Sequence, residues 1–333
     1  MLDINKIHEI SLGIDGHLRQ LESFVGVLRE IKSSLDHLAK SQESHYLYEL
    51  RKLMEEVVEL KGQLRKYGLP EASKYEKDLE VVRGLVDDVV WPVAVIPEMI
   101  CDSDDKAKQR ASAIMDIFVC EHLKGKKFLD YGCGQGHSVP EASKREAAVA
   151  VGYDIRPDAF KVEGANLTAD FSEVAKHGPY DVILLHDVLD HVVVIDPIQA
   201  LIQAKSVLAP NGKIYIRNHP WSARHGGHLY TQKNKAFLHL VMDEVELIRT
   251  AGLSVEHNIK VIRPLETYRY WFEKAGLKVR SEMPVKETVD EFFTKPSPIQ
   301  ERLARLWSTS EDMTKHMEIS FVEYIVGSDH QIF

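Results

Sequence analysis

Apolar positions near the start of the chain recur at alternating steps of three and four: Ile4, Ile7, Ile14, Leu18, Leu21, Val25, Leu28 and Leu35. Ser11, Lys32 and Ala39 fill the remaining slots. This narrow seam with charged flanks predicts coiled-coil packing. The polar break Ser41-Gln42-Glu43-Ser44 shifts the phase, and a second series runs Leu47, Leu50, Met54, Val57 and Leu64, with Lys61 in the open slot. Two helices are expected over 1–67, folded back as a hairpin or associated between chains. Gly13, Gly16 and Gly26 each cost helix stability of about 1 kcal/mol, so tertiary or subunit contacts must offset them. The expectation is an arm that joins copies of this chain into a homo-oligomer; the plainer alternative is an arm that only packs.

Gly68-Leu69-Pro70 closes the arm, and a helical stretch from Glu71 to Val90 leads into a segment that Pro92 and Pro97 make irregular. Residues 68–103 read as a helical linker. From Asp104 a helix through Ala113, Met115, Ile117, Phe118 and Val119 runs to Gly125, and there the period changes. KKFLDYG, AAVAVGYD, YDVILLHD and GKIYIRN are short apolar runs separated by helix-length segments. That alternation predicts an α/β fold: a Rossmann-like, doubly wound, mostly parallel sheet preceded by the helical amino-terminal region. Residues 104–333 form its domain, with 217–260 as a substrate loop and helical insertion.

Composition narrows the class. At 333 residues, 44% hydrophobic and 28% charged, the chain can build a packed core and more than one unit. Its net charge of -9 argues against a protein that coats extended nucleic acid or an acidic membrane. Cys101, Cys120 and Cys133 include no CxxC pair, so neither a disulfide framework nor a thiolate zinc site is expected. With no secretory leader and no uninterrupted apolar span, a cytoplasmic location is expected.

Asp130 ends the first strand, and Tyr131-Gly132-Cys133-Gly134-Gln135-Gly136 is a glycine loop that opens the next helix. Alternate glycines let backbone approach a ligand closely. Asp154 ends the second strand, where a carboxylate can accept from both hydroxyls of a ribose. Asp130 would repel a pyrophosphate, so the ligand there should carry a positive group. The GxGxxG spacing is also missing, since Gly136 is followed by His137 and Ser138. An NAD-binding site is therefore a poor match.

These residues resemble the class I S-adenosylmethionine-dependent methyltransferases, whose first motif is an acid followed by GxGxG; the resemblance covers about residues 104–326. It implies a seven-stranded sheet and S-adenosylmethionine as cofactor. It also implies cofactor contacts at Asp130, Gly132, Gly134 and Gly136, at Asp154 with Ile155, at Asp170 with Phe171, and at His186. The segment from Asp181 to Val192 resembles the family's fourth strand and its VLEH segment. LAPNGKIYI resembles the fifth strand, WFEKAGLKV the late helix and sixth strand, and ISFVEYIVG the final edge strand.

Asp187, Asp190 and His191 also resemble the E-x-x-E-H segment of metal-dependent O-methyltransferases. With His219 they form a candidate set for Mg²⁺ or a similar ion that would lower the pKa of a substrate hydroxyl. The alternative is a helix start with a packed histidine. His191, His219 and Asp187 are the candidate catalytic residues.

The loop after the fifth strand, Asn218 to His228, is expected to meet the methyl acceptor, a small molecule or a terminal group. Arg217 and Arg224 could hold a carboxylate or phosphate, Trp221 offers a stacking face, and His225 and His228 offer imidazoles. The plainer reading is a loop of solvated histidines. The acid and histidine cluster favours O- over C-methylation. The alternative function is an assembly protein whose methyltransferase fold is idle and whose arm makes the contacts.

Overall fold

The computed structural model describes residues 80–86, 90–191, 196–242, 246–247, 264–307 and 309–328. The expected coiled-coil arm, and with it the homo-oligomer, lies outside them.

Seven strands form one sheet: β1 Lys127–Tyr131, β2 Val149–Tyr153, β3 Leu167–Thr168, β4 Tyr180–His186, β5 Leu208–Asn218, β6 Leu277–Lys286 and β7 Ile319–Ser328. Their order is β3-β2-β1-β4-β5-β7-β6. The first five run parallel, while β7 is antiparallel to both β5 and β6. Side chains alternate between the two faces, as the pleat requires. Leu129, Ile183, Leu185, Ile214 and Ile216 enter one core, and Phe128, Val182, Leu184 and Tyr215 the other. Both faces are buried, which is why these strands read as continuous apolar runs.

The final strand corrects one expectation. β7 is not at the edge: it is wedged between β5 and β6, with Ser320, Val322, Tyr324 and Val326 buried. The edge is β6, whose sequence LKVRSEMPVK is mostly exposed and carries charges and Pro284, as an unpaired strand border tolerates.

Helices α1 Asp104–Ala113, α2 Ser138–Lys144, α3 Phe171–His177, α4 Pro197–Ser206 and α5 Leu265–Lys274 flank the sheet. α1 continues into a π-helical turn, Ile114–Val119, that buries Met115, Phe118 and Val119. Side-chain oxygens cap the amino termini of α1, α3 and α4, from Ser103, Asp170 and Asp196, each satisfying orphan N–H groups of a first turn.

A third core was not foreseen. Val82, Val86 and Trp91 pack with Phe237, Leu240 and Val241 and with two later helices, α6 Pro298–Ala304 and α7 Ser310–Met317. The expected linker is therefore tied to the domain. The Trp91 indole donates to the Ala236 carbonyl at 2.9 Å, and Asn234 exchanges two hydrogen bonds with the Val95 backbone. Within the described part of the expected helical insertion, Leu229–Thr231 is a 3-10 turn and Leu238–Val241 a single helical turn, with irregular backbone between them, and residues 246–247 are helical.

Candidate active site

The carboxyl ends of β1 and β2 hold the first half of the site. Asp130 is buried and accepts a short hydrogen bond from the Ser138 hydroxyl at the start of α2. Burial pushes its carboxyl up to about 7 against the lowering effect of Ser138, and Asp154 adds to the rise. The glycine loop turns between them. Gly134 has φ +52° and open space where a Cβ would stand, so bare backbone faces the cradle. Gly136, at φ +91°, is required by packing: a Cβ there would lie 2.6 Å from a Leu167 methyl.

Asp154 supports this loop. Its carboxylate accepts the Gly134 N–H at 2.9 Å and the Arg156 N–H at 3.0 Å. Ile155 beside it is exposed, an apolar surface at the rim. Asp170 accepts from the Ser172 N–H and hydroxyl, both at 2.8 Å, as the cap of α3. Phe171 is already packed edge-on against Tyr153 and Tyr131, at 5.5 and 6.3 Å between ring centroids. Burial pushes the Cys133 thiol well up, so it is a neutral packing group. A buried carboxyl without a cation, open backbone at Gly134 and a carboxylate at the rim together suit a ligand with an ammonium end and a diol.

The carboxyl ends of β4 and β5 hold the second half. Asp187 follows β4 with φ +54°, and His228 has φ +50°. Such left-handed geometry at residues other than glycine costs about 1–3 kcal/mol each and tends to persist at functional sites. Asp187 Oδ2 meets the Arg110 guanidinium of α1 at 2.5 Å and His186 Nδ1 at 3.3 Å. Burial alone would raise the Asp187 carboxyl; His186, His219 and Arg110 outweigh it and hold it well below the usual range. Asp190 shows the opposite balance. Completely buried, it is pushed well above the usual range by burial and by Asp187, and the nearby backbone N–H groups of Asp190 and His219 do not offset this.

The loop histidines are buried rather than solvated. Burial pulls His219 and His228 down to about 3, and holds His225 well below its ordinary value. Their rings interlock: His219 meets His225 edge-on at 4.1 Å, and His228 stacks on His191 at 4.6 Å. His191 itself is exposed. Two donor groups result, Asp187–Asp190–His219 and Asp190–His191–His228, each with ligand atoms within 4.8 Å of one another. The structure thus divides the four expected metal residues between two groups that share Asp190, and adds to the second His228, assigned from sequence to the substrate. With three imidazoles the set departs from the oxygen-only shell that Mg²⁺ prefers.

Three expected substrate contacts are occupied elsewhere. Arg224 donates to the Val93 carbonyl at 3.0 Å and pairs with Asp290, tying the loop down. Arg217 lies over the Phe321 ring at 4.0 Å and beside Glu323 at 3.3 Å. Trp221 turns toward the third core, where it lines a cavity of about 160 Å³ with Leu265, Trp307 and His316. Sequence reasoning missed Arg110 and Ser138. Arg110 lies 77 residues from its partner, with no local signal; Ser138 could have been suspected from its place at the first turn after the glycines.

A family model described as "Methyltransferase domain" matches residues 104–282. Among solved structures, a SAM-dependent methyltransferase from Archaeoglobus fulgidus is 17% identical, covering 66% of this chain and 93% of its own, with a TM-score of 0.41. A putative S-adenosylmethionine-dependent methyltransferase from Listeria monocytogenes is 15% identical, covering 67% of this chain and 100% of its own, with a TM-score of 0.43. No curated protein matches the sequence.

Proposed function

Because the chain belongs to the class I S-adenosylmethionine-dependent methyltransferases, we propose that it methylates an oxygen of a small molecule or terminal group docked at the mouth between β4 and β5. One observation carries this reading. The glycine loop and the 187–191 segment adjoin directly: a Cβ on Gly132 would lie 2.6 Å from the Val188 side chain. A cofactor held by the loop would therefore present its reactive end to the acid and histidine cluster.

S-adenosylmethionine, when bound, would supply a sulfonium methyl to the acceptor oxygen. The protein's part is alignment and proton removal. Asp130 would meet the cofactor's ammonium, Gly134 would give it backbone access, and Asp154 with Ile155 would frame its ribose. Asp170 would stand at the adenine end. Exposed His191 takes the acceptor's proton. Asp187, kept ionised beside Arg110, lies against His186 and places negative charge in the cluster. Among the described residues no helix is long and apolar enough to cross a membrane. The idle-fold alternative is not favoured, because the acid, glycines and Asp154 are assembled around one cradle.

Isothermal titration with S-adenosylhomocysteine, with NADH as control, tests the reading. Micromolar affinity for the first alone is expected; no binding, or binding of NADH instead, overturns it.

A further inference from the structure

At the mouth of β4 the geometry points to a built site for a divalent transition-metal ion, held by Asp187, Asp190 and His219, whose ligand atoms lie within 4.8 Å of one another, with His228 flanking Asp190 in a second such group. Asp190 is completely buried and neither of its carboxylate oxygens accepts a well-formed hydrogen bond. A buried carboxyl in that state keeps its proton or is compensated by a cation, because an uncompensated buried charge costs several kcal/mol. Asp187 Oδ1 is likewise buried without a partner.

The histidines complete the argument through their tautomers. His219 Nδ1 lies 3.3 Å from the Ser320 carbonyl, which can only accept, so Nδ1 carries the proton. Nε2 then presents a lone pair to Asp187 Oδ1 at 3.6 Å. Two lone pairs face each other, and a cation between them turns repulsion into coordination. A second-shell carbonyl that fixes the tautomer is the usual support of a ligating imidazole. His228 Nε2 stands 3.8 Å from Asp190 Oδ2. Both separations exceed a hydrogen bond and are near the roughly 3.3 Å expected between two tetrahedral ligands at the usual 2.0–2.1 Å from an ion.

Mixed imidazole and carboxylate donors select zinc, manganese, iron or cobalt over magnesium. Exposed His191, stacked on His228, marks the open side from which a further ligand could reach the ion. The metal site stands on this donor geometry alone; its place beside a methyl acceptor rests on the methyltransferase reading.

The full chain, stripped with chelator and dialysed, is titrated with Co²⁺ in millimolar Mg²⁺ while visible ligand-field absorption is followed. One equivalent should bind, with the bands lost in His219→Ala and in Asp190→Asn. Near-ultraviolet circular dichroism checks folding, and His219→Ala alone decides if Asp190→Asn does not fold. No stoichiometric uptake, uptake retained in a folded variant, or displacement by Mg²⁺ overturns the site. The readout needs no methyl donor, so failure here and failure to bind S-adenosylhomocysteine are separate results.

Discussion

The two halves of the site treat buried charge differently. At the ends of β1 and β2 each carboxylate is served by the chain itself: Asp130 by Ser138, Asp154 by the Gly134 and Arg156 amides. At the end of β4, one strand away, the Asp190 oxygens have no well-formed hydrogen bond, only the nearby N–H groups of Asp190 and His219, and two residues hold left-handed backbone. The first half is organised before its ligand arrives. The second gathers desolvation and left-handed backbone that a bound group would relieve.

The largest expected effect lies in the first half. Asp154→Ala removes a carboxylate that orders the glycine loop and frames the ribose, and charge-assisted hydrogen bonds contribute about 1.5–3 kcal/mol each. S-adenosylhomocysteine affinity should fall about 100-fold in a calorimetric titration. Unchanged affinity would remove Asp154 from the cofactor site.

The second half should respond in the opposite sense to loss of its acid. Asp190→Leu replaces a buried carboxyl that lacks a well-formed hydrogen bond with an apolar group, so the chelated protein should gain about 1–3 kcal/mol. Its thermal midpoint should rise by about 2–4 °C for each kcal/mol. A lower midpoint in chelator would show that Asp190 is already compensated within the fold.

The pH response separates the halves further. The Asp130 carboxyl stands near 7 in the folded protein, against 3.8 ordinarily, so the folded state keeps a proton that the unfolded chain has released. This site's contribution to stability therefore falls as pH rises from about 4 to about 7 and is level above that. A cationic ligand binds the ionised form and expels the proton. S-adenosylhomocysteine affinity should thus strengthen about tenfold between pH 6 and pH 8, the equivalent of one pKa unit. A flat profile would place the ligand's ammonium away from Asp130.

The smallest effect is expected at Asp170. Asparagine retains the cap of α3, so Asp170→Asn should leave the thermal midpoint unchanged. Losing one exposed contact to the adenine amine should weaken cofactor binding about threefold. No change at all would limit Asp170 to its capping role.

The sequence revealed the two halves unequally for the same physical reason. The strand–glycine–helix turn of the first half is local: Asp130 to Gly136, then Asp154 one crossover later, and every contact there joins neighbouring elements. The alternation of β4 and β5 was equally plain because both strands are buried on both faces. The place of β7 was not, since an antiparallel insertion between β5 and β6 depends on long-range pairing. Nor was the link from Arg110 to Asp187, or that from Ser320 to His219, which spans 101 residues. Trp221 misled because a loop aromatic can face a site or a core, and only the third core, itself assembled from distant segments, decides which.

The separability of the two halves is tested most directly by titrating S-adenosylhomocysteine into Asp190→Asn alongside the parent protein, both chelated. The account predicts equal affinities, because Asp130 and Asp154 take their hydrogen bonds from within the cofactor half. A loss approaching that of Asp154→Ala would contradict it and make the two halves one coupled site.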